Sequence, residues 1–120
     1  MTTVKEILKR KGAAVWSVKP GATVEDALVL MKDKGIGAVL VFEGAEIVGI
    51  FSERDYVHHV ARKNDLSLDT AITVLMNSPV LFVRPDQTLQ DCMDVMTAKH
   101  LRHLPVLDQS DQCIGMLSIG

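Results

Sequence analysis

The chain has 120 residues, 48% of them apolar and 4% aromatic, with thirteen basic against fifteen acidic side chains. That length suits one compact domain or two very small ones sharing a core. A net charge of −2 excludes a nucleic acid held by charge alone, and the longest charge-free apolar run, Ile36 to Phe42, is far short of the roughly 20 residues of a membrane helix.

In chain order, Val4 to Lys11 reads as a helix whose end carries Lys9, Arg10 and Lys11, cations that favour the helix dipole there. Charges in this N-terminal stretch stand where a signal peptide needs its apolar core. Two cysteines, Cys92 and Cys113, are few for a small secreted domain, so a reducing, cytoplasmic setting is expected. Ala14 to Val18 reads as a short extended piece before a proline turn. Thr23 with Asp26 predicts a capping box. The helix that follows carries Val24, Ala27, Leu28 and Met31 on one face and ends at Gly35. Strands are predicted over Ile36 to Phe42 and Ile47 to Phe51, joined by a turn at Glu43-Gly44-Ala45-Glu46. Arg54 to Lys63 and Asp69 to Met76 read as helices, and Val80 to Val83 as an extended piece. Thr88 with Asp91 predicts a second capping box, opening a helix with Leu89, Cys92, Met93 and Met96 on one face and His100 at its end. Strands at Leu101 to Leu107 and Cys113 to Leu117 follow, reversed by a turn over Asp108 to Gln112.

The second half repeats the first. Val18-Lys19-Pro20, Thr23-Val24 and Asp26 fall on Val83-Arg84-Pro85, Thr88-Leu89 and Asp91, each 65 residues on. Met31, Lys34 and Val41 fall on Met96, Lys99 and Val106 in the same register. After a one-residue insertion, Gly49 and Ser52 fall on Gly115 and Ser118. The expected division is 1–64, an N-terminal helix with the first repeat, and 65–120, a second repeat ending before its final helix. Each unit offers one apolar sheet face and one apolar helix stripe, which two copies bury together.

The repeat, with Gly49-Ile50-Phe51-Ser52-Glu53-Arg54-Asp55 closing the first half and Arg102-His103-Leu104-Pro105-Val106 in the second, resembles a tandem CBS-domain pair (a Bateman module). The resemblance covers nearly the whole chain and is closest to stand-alone CBS-pair proteins. It implies an α/β (α+β) fold of two βαββα repeats packed with pseudo-twofold symmetry, pairing of modules into homodimers, and clefts that take AMP, ADP, ATP, NAD(H) or S-adenosylmethionine, AMP foremost. Gly49 would allow close backbone approach, Ser52 would donate to a phosphate oxygen at a helix start, Asp55 would accept from the ribose hydroxyls, and Arg54 would offer phosphate a planar fork. Ser52 with Asp55 is equally a capping box that needs no ligand.

Arg102 and His103 are expected at the start of the second strand, as phosphate contacts or as an exposed arginine beside a packed histidine. Gly37-Ala38 stand at the matching first-half positions, so the two clefts are chemically unequal. Ser118 closes the second motif, and the position matching Asp55 lies past Gly120. For an adenine slot the resemblance points to Val15, Ser17, Ile36 and Ile50 in one cleft and Val80, Leu101 and Met116 in the other. Lys19 is a further phosphate candidate, or a solvated side chain beside a turn proline. No catalytic group and no metal are expected. The chain has no nucleophile elbow, P-loop or HExxH, adjacent His58 and His59 diverge on a helix, and the cysteines lack zinc spacing. Met31, Met93 and Met96 read as flexible core filling. The expected function is an adenine-nucleotide sensor with an unidentified regulated protein as partner. The alternative is a scaffold for dimerisation or docking, without ligand.

Overall fold

A computed structural model describes residues 1–62 and 68–119. The expected helix end at Lys63, the division at 64/65 and the terminal Gly120 lie outside the described residues. Contacts divide the chain into two compact units, Trp16–Val80 and Met1–Val15 with Leu81–Gly120.

In the unit Trp16–Val80, helix α2 (Val24–Lys34) begins at Thr23, whose hydroxyl accepts from the Asp26 N–H at 3.1 Å while the Asp26 carboxylate accepts from the Thr23 N–H at 2.9 Å. It ends at Gly35, left-handed with φ 64°. The Ile36 N–H then donates to the Met31 carbonyl at 3.0 Å, a Schellman closure. Residue 36 thus still serves the helix end, and the strand expected from it begins only at β2 (Ala38–Glu43). Strand β1 (Ser17–Val18) runs parallel to β2, and β3 (Glu46–Ser52) antiparallel to it, in the order β1-β2-β3. A register shift between Val41 and Phe42 leaves Val48 outside the pairing. Val39, Val41 and Phe51, on one sheet face by the alternation of strands, pack with Val24, Ala27 and Met31 of α2 and with Ile72 and Leu75 of α4 (Ile72–Leu75). The helix expected over Asp69–Met76 thus spans only its middle. Helix α3 (Glu53–Arg62) buries none of its residues, though its Tyr56 packs against the core.

The other unit repeats this plan. Helix α5 (Leu89–Lys99) starts in the Thr88–Asp91 box and ends at His100, left-handed with φ 55°. The Leu101 N–H closes onto the Met96 carbonyl at 2.9 Å, and β4 (His103–Leu107) pairs antiparallel with β5 (Cys113–Ser118). The same shift recurs between Val106 and Leu107. Leu104, Val106 and Leu117 pack with Cys92, Met96, Val83 and Val4. Leu89 and Met93, expected on the apolar stripe, are 38% and 40% exposed. In place of a β1 strand there is a single bridge, Val83 to Val106.

Helix α1 (Val4–Lys11) belongs to this second unit. The Val4 N–H donates to the Gln87 carbonyl at 2.9 Å and the Leu89 N–H to the Thr2 carbonyl at 2.8 Å. The first unit makes the same two bonds with α4: Ile72 N–H to Ala22 at 2.9 Å, and Val24 N–H to Thr70 at 2.8 Å. Val4 and Ile72 are both fully buried. Each repeat's leading helix therefore completes the unit that holds the other repeat's sheet.

Candidate functional site

Strand β3 delivers Ser52 to the start of α3, where a hydroxyl and a carboxylate meet. The Ser52 hydroxyl accepts from the Asp55 N–H at 3.1 Å, and one carboxylate oxygen of Asp55 accepts from both the Ser52 N–H and the Ser52 hydroxyl, each at 2.9 Å. The threonine boxes of α2 and α5 are exposed and lack the side chain to side chain bond; this one is half-buried and has it. The capping reading is thus realised in full. The other carboxylate oxygen, Oδ1, carries none of these bonds. Arg54, the next residue, is exposed.

The second repeat places different chemistry at the equivalent end of its sheet. The Ile119 N–H donates to the Arg102 carbonyl at 3.1 Å, as the Glu53 N–H does to the Gly37 carbonyl at 3.0 Å. By ladder alternation His103 and Ser118 then form a non-hydrogen-bonded pair, the closer kind, as Ala38 and Ser52 do in the first. Half-buried His103 and exposed Ser118 are thus brought to one face. Arg102 precedes β4 rather than starting it and is exposed. Alternation does not carry it to the face that His103 shares with Ser118.

The adenine-slot candidates are divided between the units. Ser17 is exposed in β1, Ile36 packs against the first core, Val80 is half-buried, and Ile50 is half-buried in β3 opposite Leu40. In the other unit Val15 is half-buried, Leu101 packs against the second core, and Met116 is half-buried in β5 opposite Pro105. Lys19 is exposed. The backbone of Ile50 is already taken: its N–H and carbonyl exchange bonds of 3.0 and 2.8 Å with Asn77, a residue that nothing in the sequence singles out. Gly49, expected to admit a ligand's approach, faces the Met76 side chain instead; an added Cβ would overlap its sulfur. Gly115 faces Leu8 in the same way, 2.7 Å from a methyl.

Both cysteines are free thiols, and burial pushes each above the ordinary thiol value of 9.0. The nearby Asp91 adds to the rise at Cys92, and backbone hydrogen bonds oppose it at Cys113. Among the described residues no group of three His, Cys, Asp or Glu side chains is placed to hold a metal, and no helix is long and apolar enough to cross a membrane.

The fold has close counterparts. A candidate signal-transduction protein with CBS domains from Burkholderia ambifaria is 43% identical and superposes with a TM-score of 0.92, over 99% of this chain and 89% of that one. A CBS-domain protein from Pyrobaculum aerophilum, complexed with AMP, is 24% identical with a TM-score of 0.83, over 97% of this chain and 86% of that one. The mitochondrial CBS domain-containing protein CBSX3 of Arabidopsis thaliana is 30% identical over 99% of this chain, which spans 62% of its length. The family model for the CBS domain matches twice, at residues 2–62 and 71–120, and the chain belongs to the CBS-domain family as a pair of such repeats.

Proposed function

We propose that the chain is a regulatory module that binds an adenine nucleotide and acts through a partner protein, with no catalytic residue of its own. The observation that carries this reading is the Ser52–Asp55 pair. It sets a hydroxyl and a carboxylate at a helix start, half-buried, with one carboxylate oxygen left out of the capping bonds. Ser52 can turn its proton to a phosphate oxygen, where the α3 dipole favours negative charge. Asp55 can accept from ribose hydroxyls through Oδ1 while its other oxygen keeps the cap. Arg54, exposed beside them, can reach a phosphate. In the second repeat His103 and Ser118 offer a donor pair to the same kind of group, and Arg102, exposed and just ahead of the strand, would supply a peripheral charge. The Pyrobaculum relative, complexed with AMP, supports AMP as the first ligand to try, ahead of ADP, ATP and NADH. Ile36, Ile50 and Val80 of one unit and Val15, Leu101 and Met116 of the other would supply apolar walls, Ser17 a hydroxyl and Lys19 a peripheral charge. A signalling output requires that the nucleotide bind one state of the module, or of a homodimer of it, more tightly than another.

One observation favours a second reading, a scaffold for dimerisation or docking without ligand: the Ser52–Asp55 bonds form a complete cap by themselves. A thermal-shift panel of AMP, ADP, ATP, NADH and S-adenosylmethionine separates the two. A ligand at 100 times its dissociation constant adds about 2.7 kcal/mol, and no shift with any of the five leaves the scaffold. Asp55→Ala should weaken AMP binding while costing only the loss of a cap, about 1 kcal/mol. Unchanged affinity in that variant would reduce Asp55 to its capping role.

A further inference from the structure

The two units close the outer edge of their last strand differently. In the first, Ile50 of β3 pairs with Leu40 at a non-hydrogen-bonded position, so its N–H and carbonyl point away from β2. Asn77, in the chain that leaves α4, takes both at 3.0 and 2.8 Å. In the second unit Met116 of β5 stands opposite Pro105 in the same kind of pair. Its N–H and carbonyl also point outward, and among the described residues nothing bonds to either. The cause lies in α1. Val4 and Leu8 correspond to Ile72 and Met76 at a spacing of 68 residues, while the strands recur at 65. The three extra residues lengthen the helix: α1 runs on through Lys9, Arg10 and Lys11, where α4 has already ended. Gly12, Ala13 and Ala14, which follow, are exposed and make no backbone bond to β5.

A strand edge with a free N–H and carbonyl is a template for another strand. The extra turn of α1 puts charge beside that edge. Leu8 lies against Gly115, the neighbour of Met116, and Lys9, Arg10 and Lys11 follow within one turn, all exposed. A helix C-terminus carries roughly half a negative charge, so three cations exceed what the dipole uses by about two and a half charges. No acid nearby absorbs the surplus. β5 has no charged side chain, Glu6 stands beside Lys5 one turn earlier, and Asp111 in the hairpin turn is held by Arg84 at 2.8 Å. An edge open to main-chain bonding and flanked by positive charge fits an extended segment that carries carboxylates. Alternation would set every second side chain of that segment on the face that α1 covers.

We propose that the Met116 edge of β5 docks an acidic, extended peptide segment of a partner protein, which adds as a strand and sets its carboxylates against Lys9, Arg10 and Lys11. The first unit fills the equivalent edge from within, through Asn77. The assignment rests on the partner half of the function proposed above and gives that partner a chemistry; it does not require a bound nucleotide.

The test uses the full chain and the end-blocked peptide Thr-Glu-Val-Glu-Val-Glu-Thr. Its controls are the same peptide with Gln for Glu, and the acidic peptide N-methylated on every backbone amide. Glycine labelled at the carbonyl carbon and methionine at the amide nitrogen give one resonance, since Gly115-Met116 is the only Gly-Met step in the sequence. That amide should exchange readily in the free chain. The acidic peptide should move its resonance and slow its exchange roughly tenfold, the worth of one well-placed hydrogen bond. The triple variant Lys9→Glu, Arg10→Glu, Lys11→Glu should bind the acidic peptide roughly tenfold more weakly, the summed worth of three exposed ion pairs. Equal binding of the Gln peptide, or undiminished binding of the N-methylated one, would overturn the proposal without any variant. So would a Met116 amide already protected in the free chain; protection that rises with chain concentration would put a second copy on the edge instead. AMP added to the same samples reports separately. If AMP binds and the acidic peptide does not, this proposal falls and the nucleotide reading stands; the reverse result leaves the docking edge and removes the nucleotide.

Discussion

Three short side chains, Thr23, Thr88 and Ser52, each pair with an aspartate three residues on, and all three pairs form the bonds that their spacing suggests. A cap is local, which is why it can be read from the chain. The glycines are different. Gly49 and Gly115 stand out in the sequence as repeated positions, but what occupies the space beside them, Met76 and Leu8, is set by long-range packing that no local pattern reports. Thr88→Ala should cost about 1 kcal/mol of stability in urea unfolding; Ser52→Ala should cost a similar amount and, unlike Thr88→Ala, should also lower AMP affinity by calorimetry. Gly49→Ala should destabilise by about 1–3 kcal/mol through overpacking. An added Cβ there would lie 3.1 Å from the Met76 Cβ, which a rotamer change cannot move. Gly115→Ala meets only the far end of Leu8 and should cost less. Combining Gly49→Ala with Met76→Ala should fall short of the summed single effects, since the two sites share one volume.

Helices α2 and α5 and the two hairpins were legible because period, cap and turn agree with one another over short spans. Both strands start two residues later than their apolar pattern suggests, because residues 36 and 101 look like strand but close the preceding helices. Helices α1 and α4 were visible as apolar segments, yet their equivalence was not. Val4 corresponds to Ile72 and Leu8 to Met76 at a spacing of 68 rather than 65, with little in common beyond a buried hydrophobe and its partner one turn later. Their reassignment to opposite units is a tertiary fact. It makes α1 part of the second core, where Val4 has no exposure. Val4→Ala should therefore cost about 2 kcal/mol through a buried cavity. Hydrogen exchange should show the loosening at Leu89 and Leu104 in the second unit, although the substitution lies in the first repeat's own sequence. Loosening confined to the first unit would contradict the assignment of α1.

At the scale of the molecule, the fold class was legible in the duplication, since pattern, order and register all recur. The sequence already marks the two copies as unequal, with Gly37-Ala38 in one against Arg102-His103 in the other; what it does not show is the strand register that pairs Ala38 with Ser52 and His103 with Ser118. The cysteines add a pH dependence. Burial favours their neutral form, so the folded thiols ionise above the unfolded value of 9.0. The stability this contributes is complete below that value and is lost as pH rises through the folded pKa. Thermal midpoints measured upward from pH 9.0 should fall less in a Cys92→Ala, Cys113→Ala double variant than in wild type.

The exchanged leading helices carry a consequence for ancestry. A peptide holding one repeat has a sheet, a main helix and a leading helix that fits someone else's sheet. It can finish its core only by borrowing from a second peptide, which borrows back. Separately expressed halves should be unfolded alone and should recover structure together, in equal proportion, by circular dichroism. Joining two copies end to end would then make permanent a loan that two single-repeat chains would otherwise have to make to each other.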